Sequence, residues 1–324
     1  MTGRVKTYYE TRSGVTAVKE NLFPAEEIYT SGGLTYRHIW NWAKEPAEIK
    51  GYQIPGLACD NDGYVYATTR KQGYPVAVFA PDGSFVKYLG RDTEVIESHG
   101  VSVDSERNVW ITDDWGHVAR KFNQNGDLIM TIGAFKCPSD TGINNIIPGT
   151  RLSFYTERRL AGPFNRPTRI VEASNGHLFA SDGYGNSAVH EFSHDGKLLN
   201  TWGGLGDEPG HFGIVHSIWI DARGNILIAD REFDRIQIFS QKGELLKVID
   251  NLMYPSDVCA DDNYIYVAER EGRVSIFDYD YNLKAQIGYW VSPLIPHSMA
   301  VDRHGNIFLG LLFDEYNIIK LEKV

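Results

Sequence analysis

The sequence predicts an all-β chain folded as a six-bladed β-propeller with four strands per blade. Three observations predict it: one motif recurs six times, the recurrences lead into further short β-rich runs joined by hairpin turns, and no amphipathic helical period of note lies between them. The recurring unit is a short apolar run, an acidic or Asn/Gly turn, and a second apolar run. Its copies are GLACDNDGYVYATTR from Gly56, GVSVDSERNVWITDD from Gly100, TRIVEASNGHLFASDGY from Thr168, SIWIDARGNILIADR from Ser217, SDVCADDNYIYVAER from Ser256 and SMAVDRHGNIFLGLL from Ser298. Most continue into a third and a fourth run, as in AVHEFSHDGKLLNTWG and RIQIFSQKGELLKVI, where the Asp-Gly and Lys-Gly pairs suit hairpin turns.

Only the gap between the second and third copies is long. Its excess falls in a Gly/Pro/Asn-rich insertion at about residues 134–166, and long loops in compact domains are often functional, so it is read as either a lid or a surface excursion. The last copy ends after its third strand at Leu321, while the chain begins with a segment containing TYRHIWNWA. A strand from that segment is expected to complete the sixth blade and close the ring. The division expected is an N-terminal arm over residues 1–33 and a single propeller over 34–324.

Composition narrows the function classes. The chain has 42 acidic against 32 basic residues, a net charge of -10, and no Lys/Arg block, which argues against a phosphate-backbone partner. No apolar run reaches the roughly 18 residues of a membrane span. The segment MTGRVKTYYETRSG has no apolar stretch of the secretory kind, so a cytoplasmic protein is expected. Cys59, Cys137 and Cys259 are too few and too scattered for a disulfide framework or a Cys-rich zinc module, and read as buried apolar side chains or bystanders.

The residue just before each copy alternates: Pro55, His99, Pro167, His216, Pro255, His297. In a propeller the first strand of each blade lines the central channel, so equivalent positions form a ring around the axis. Histidine in every second blade sets three imidazoles at the corners of a triangle. Three histidines with an open fourth position suit a catalytic zinc ion, although imidazole also binds other divalent transition metals. The other seven histidines, His38, His117, His177, His190, His194, His211 and His304, fall at irregular repeat positions and read as surface or packing residues.

If the first strand leaves the metal face and the second returns, the turn after the second strand lies on that face, where function collects. Those turns hold Arg70, Asp113, Asp114, Asp182, Tyr184, Arg231, Glu269 and Arg270. Asp182 and Asp230 recur at one repeat position, and Asn186 and Arg235 fit a repeat consensus, so turn capping is expected of them. Arg70, Tyr184 and Arg231 depart from the consensus. Two arginines aimed at one site suggest an anionic substrate group, since the guanidinium fork matches a carboxylate; the alternative for each is a surface ion pair.

These motifs resemble the peptidyl-α-hydroxyglycine α-amidating lyases, within the wider group of NHL-repeat propellers. The resemblance runs from about Leu57 to the end and is densest from Ser181 to Phe239, in SDGYGNS, the HFG-IVHS stretch and ADREFDRIQIF. It implies that His99, His216 and His297 are zinc ligands, that Tyr184 is the catalytic tyrosine taking a hydroxyl proton, and that Arg70 and Arg231 hold a substrate carboxylate. The chemistry implied is collapse of an N,O-hemiaminal, an α-hydroxyglycine, into an amide and glyoxylate.

The resemblance also implies a calcium ion bound by backbone carbonyls, here those of Leu57 and Val101, and by an acidic side chain after the third histidine. This sequence has Ser298 there, which offers a hard cation no charge, so a weakened or missing calcium site is expected. A family cysteine after the tyrosine is replaced by Gly185. The leading expectation is a zinc-dependent lyase acting on a small carboxylate-bearing metabolite. One alternative is a zinc-dependent hydrolase or hydratase on the same propeller site. Another is a non-enzymatic NHL scaffold that binds a protein partner. The sequence leaves the oligomeric state open.

Overall fold

The computed structural model describes residues 3–10, 16–23, 27–143, 159–288, 295–312 and 317–324, the first two stretches by backbone alone. Six antiparallel sheets follow one another as the blades of a propeller, and no α-helix occurs among the described residues. The first blade is Leu57–Cys59, Val65–Thr68, Val76–Phe79 and Phe85–Leu89, and the next four repeat the same up-and-down order. Their first strands are Ser98–Val103, Arg169–Glu172, Val215–Ile220 and Pro255–Ala260. No helix among the described residues is long and apolar enough to cross a membrane.

In five of the six blades the hairpin after the first strand has one local cause, an aspartate. Asp221 Oδ1 accepts from the amides of Arg223 and Asn225 at 2.9 and 2.8 Å, and Asp302 Oδ1 does the same for His304 and Asn306 at 2.9 Å each. The side chain thereby mimics a turn carbonyl. Gly224 and Gly305 follow at φ of 80° and 78°, where a Cβ is disfavoured. Asp60, Asp104 and Asp261 make the equivalent contacts, so the acidic turn of the repeat is a turn-forming device.

The sixth blade closes the ring by joining its three C-terminal strands to strands from residues 27–39. Pro296–Val301, Ile307–Leu311 and Ile318–Lys323 are joined by Leu34–Ile39, with Leu321 opposite His38 and Lys323 opposite Tyr36. This sheet has five strands, because Glu27–Ser31 pairs with Leu34–Ile39 on its outer edge. Residues 27–31, assigned to the arm from sequence, are therefore part of the sheet. The two remaining N-terminal strands, Gly3–Glu10 and Thr16–Phe23, form a separate ribbon. Residues 144–158, the middle of the insertion, lie outside the described residues, and with them the question of a lid.

The apolar core lies between neighbouring blades. Trp110, Ala119 and Ile132 of the second blade pack on Ile170, Leu178, Ala180 and Phe192 of the third, with Phe164 between them. Truncating a buried aromatic such as Trp110, which has no exposed surface, costs about 3–5 kcal/mol. Nearer the axis, hydroxyls stitch one blade to the next: Thr68 Oγ1 donates to the His99 carbonyl at 2.7 Å, Thr168 Oγ1 to Val215 at 2.6 Å, and Ser256 Oγ to Pro296 at 2.7 Å.

Candidate metal centre

Each of the three ring histidines is the second residue of its blade's first strand, and each sits where the strand pairing slips by one residue. Val215 opposes Asp230 and Ser217 opposes Ala229, which leaves His216 unpaired in a β-bulge; His297 is skipped in the same way between Pro296 and Ser298. In the second blade the slip falls between Ser98 and Val101. A bulge turns its extra residue out of the pleat, here toward the channel.

The imidazoles then meet. Their ring centroids are 5.0 Å (His99 to His216), 5.0 Å (His99 to His297) and 4.7 Å (His216 to His297) apart, and their ligand nitrogens lie within 4.8 Å of one another. Each Nδ1 meets a backbone carbonyl of the following blade: His99 on Thr168 at 2.9 Å, His216 on Ser256 at 2.6 Å, His297 on Pro55 at 2.8 Å. A carbonyl only accepts, so each Nδ1 carries the proton, and each neutral ring keeps its lone pair on Nε2.

Burial holds the His99 ring down to about 3, with Arg70, Arg231 and Arg166 pushing the same way. Burial likewise takes His216 and His297 well below the usual histidine range, reinforced at His216 by Arg231 and at His297 by His99 and Arg270. All three are therefore neutral donors at neutral pH. Tyr184 Oη lies 3.0 Å from His99 Nε2 and 2.9 Å from His216 Nε2, and a single phenolic proton cannot satisfy both lone pairs. Three convergent neutral Nε2 atoms, each oriented by an Nδ1–H to carbonyl bond, are a donor set that fits a divalent transition metal with a position left open.

Tyr184 is held from both sides. The end of the insertion passes beneath its turn: Tyr184 and Gly185 amides donate to the carbonyls of Arg166 (3.4 Å) and Asn165 (2.9 Å), and Asn165 in turn donates its amide to Asp182. A Cβ on Gly185 falls 2.2 Å from Asn165 Oδ1 and 2.6 Å from its carbonyl, so any side chain here requires Asn165 to move.

Four of the carboxylates in these turns bind main-chain amides. Asp113 receives the amides of Ile96 and Glu97, Asp182 that of Asn165, Asp230 that of Gly213, and Glu269 that of Met253. Each thus catches the main chain as it enters its own blade's first strand, two or three residues ahead of the ring position. Asn186 donates to Asp182 at 2.9 Å, and Arg235 Nε donates to Asp230 at 2.8 Å, both as capping partners. His190 also bonds Asp182, and His38 and His117 are buried, all outside the triad.

The two predicted arginines flank the site as ion pairs. Arg231 donates from Nε and Nη2 to Glu232 Oε1 at 3.0 and 2.8 Å, with its guanidinium 5.7 Å from the Tyr184 ring and 4.9 Å from Tyr254. Arg70 is more open, 24% exposed, and bridges Gln53 at 2.6 Å and Glu97 at 2.9 Å. Sequence reasoning missed a third: Arg166 lies 4.8 Å over Tyr184 and 4.1 Å over Trp115, with Nη2 on Asp114 Oδ2 at 3.2 Å. Burial raises the Asp114 carboxyl to about 6 even against Arg166. Arg166 and Tyr254 each stand one residue before a ring position, an offset the repeat alignment already contained.

Of the expected calcium ligands, the Leu57 carbonyl accepts from Arg169 Nη2 at 3.3 Å, and Ser298 Oγ is 3.5 Å from the Ile54 carbonyl. Leu57 and Val101 both line the narrow cavity of about 10 Å³ at the histidine ring, which is no larger than one water molecule.

No family model matches the chain. NHL repeat-containing protein 3 of Mus musculus is 31% identical over 250 residues, 72% of this chain and 67% of that protein. A probable peptidyl-α-hydroxyglycine α-amidating lyase of Caenorhabditis elegans is 27% identical over 58% of this chain and 55% of its own length. The mouse peptidyl-glycine α-amidating monooxygenase is 33% identical over 150 residues, 44% of this chain but only 13% of that protein. Among solved structures, a streptogramin B lyase superposes with a TM-score of 0.59 at 17% identity, covering 86% of this chain and 96% of its own. A gluconolactonase of Xanthomonas campestris superposes with a TM-score of 0.62 at 13% identity, covering 100% of this chain and 99% of its own. At these identities the two structures speak for the fold alone.

Proposed function

Because this chain belongs to the NHL-repeat six-bladed β-propellers, a family related to the peptidylglycine amidating lyases, we propose that it is a zinc-dependent lyase breaking the C–N bond of a small, carboxylate-bearing N,O-hemiaminal. The observation that carries the reading is the Tyr184 hydroxyl set between two Nε2 atoms of a neutral three-histidine cluster, with cationic side chains around it.

A divalent ion held by His99, His216 and His297 supplies Lewis acidity, which makes a hydroxyl proton easier to remove. As a phenolate, its own proton having left to solvent, Tyr184 Oη is the group placed to accept the proton of the substrate hydroxyl and so become the neutral phenol. As that O–H bond gives up its electrons to form the aldehyde C=O, the C–N bond breaks, and the departing amide nitrogen takes a proton back from the same phenol. Atoms balance without water: R–CO–NH–CH(OH)–COO⁻ becomes R–CO–NH₂ and OHC–COO⁻. Arg70 and Arg231 bind the carboxylate, exchanging part of their pairing with Glu97 and Glu232 for it. The ring of Tyr184 packs against Arg166 and Arg231, which fixes where its hydroxyl stands.

The test is to load purified protein with zinc and supply a panel of N-acyl- and N-carbamoyl-α-hydroxyglycines, N-benzoyl-α-hydroxyglycine among them. Glyoxylate and benzamide should form in equal amounts, and in ¹⁸O-water the benzamide should stay unlabelled. Labelled benzoate identifies a hydrolase instead, and no glyoxylate above spontaneous breakdown across the panel rejects the lyase.

A further inference from the structure

One layer along the channel from the histidine ring lies a buried ion pair that the proposed chemistry does not use. Arg169 and Asp257 each stand two residues after a ring proline, Pro167 and Pro255, and Leu57 holds the same offset from Pro55. Arg169 Nη1 donates to Asp257 Oδ1 at 2.8 Å and Nη2 to the Leu57 carbonyl at 3.3 Å. Asp257 Oδ1 also accepts from Ser217 Oγ at 2.5 Å, and Oδ2 from the Met299 amide at 2.7 Å. Both charged side chains are almost wholly buried.

These few bonds tie together the first, third, fourth, fifth and sixth blades. Two of the spokes reach next to metal ligands, since Ser217 follows His216 and Met299 is two residues past His297. Buried ion pairs seldom add stability, because desolvating two charges offsets their attraction. A cross-channel pair in this place calls for a reason other than stability. Blades pack on one another through apolar faces, which tolerate small slides, whereas a guanidinium fork bonded to several fixed acceptors does not.

We infer that Arg169, held by Asp257, is a positioning residue: it fixes the spacing of the blades that carry the histidine triad. The inference rests on the triad being a metal site. Outer partners that orient ligands typically govern about 10–100-fold in metal affinity.

The test measures zinc affinity by competition with a chromophoric chelator, and the visible spectrum of the cobalt-substituted protein, for wild type, R169M/D257N and R169K. The double substitution leaves the net charge of the channel unchanged, so a plain electrostatic effect on zinc cancels. It should bind zinc about 10–100-fold more weakly and show altered cobalt bands, even where its melting temperature matches wild type. R169K keeps the charge but not the fork, and should fall between the two. If the double variant does not fold, R169K decides alone: at least threefold weaker zinc supports the inference. Wild-type affinity and an unchanged cobalt spectrum in whichever variant folds overturn it. Wild-type protein that takes up no zinc defeats the metal reading itself, and this inference with it, before any substitution is compared.

Discussion

The Nδ1 of His99 donates to the main-chain carbonyl of Thr168, 2.9 Å away in the neighbouring blade. His216 and Ser256, and His297 and Pro55, repeat the relationship. The even blades therefore supply imidazoles and the odd blades the carbonyls that aim them, and in the third and fifth blades the carbonyl belongs to Thr168 and Ser256, one residue past the prolines at which the repeat alignment placed the ring. One blade out of register misplaces a ligand and its support together.

His216→Ala removes one ligand while leaving the blade's hydrogen bonds and core in place. Metal measured by mass spectrometry should fall to background, and turnover with it, while the far-ultraviolet circular dichroism of the propeller is unchanged. Retention of full metal content by this variant rules out the triad as the site.

Tyr184→Phe deletes one hydroxyl and keeps the ring packing against Arg166 and Arg231. With metal content intact, kcat should drop by about 10²–10⁴-fold and KM should change little. Arg70→Ala should raise KM as well, since it weakens ground-state and transition-state binding alike, and Arg70→Lys should recover part of the loss. A phenylalanine variant with wild-type turnover removes the tyrosine from the mechanism.

Calcium chelation should leave thermal stability nearly unchanged. Arg169 already donates to the Leu57 carbonyl, and Ser298 brings no charge to the channel. A melting temperature that falls with a calcium-selective chelator and recovers on adding calcium contradicts this.

His38 supplies a pH prediction that does not depend on the triad. It is buried against Trp40, with centroids 3.9 Å apart, and neither ring nitrogen has a hydrogen-bond partner among the described residues. Burial lowers it to about 3, against about 6.5 when unfolded. A folded pKa below the unfolded one means that stability is intact above pH 6.5 and is lost as pH falls toward 3, by about 1.4 kcal/mol per unit for one proton. His38→Phe keeps the stacked ring and removes that proton, so urea unfolding between pH 7 and 4.5 should show a shallower loss than wild type. Parallel slopes refute it.

The catalytic face was only partly legible before folding. His99, His216, His297, Tyr184, Arg70 and Arg231 stood out because the repeat made their positions comparable. Arg166 and the Arg169–Asp257 pair share repeat offsets too, but a single charged residue at an offset gives no hint of what faces it across the channel.

By itself the sequence determined the number of blades, the turn-forming aspartates, the expected closing strand and which histidines share the ring, because each of these follows from local pattern repeated at a fixed interval. Only the tertiary structure decided that the ring residues fall in β-bulges turned toward the axis, that Nδ1 and not Nε2 carries each proton, and that Arg169 reaches Asp257 two blades on. Those outcomes depend on contacts between segments far apart in the chain, such as Arg169 and Leu57 or Tyr184 and His99. Such contacts exist only once closure of the propeller has brought the blades around a common axis.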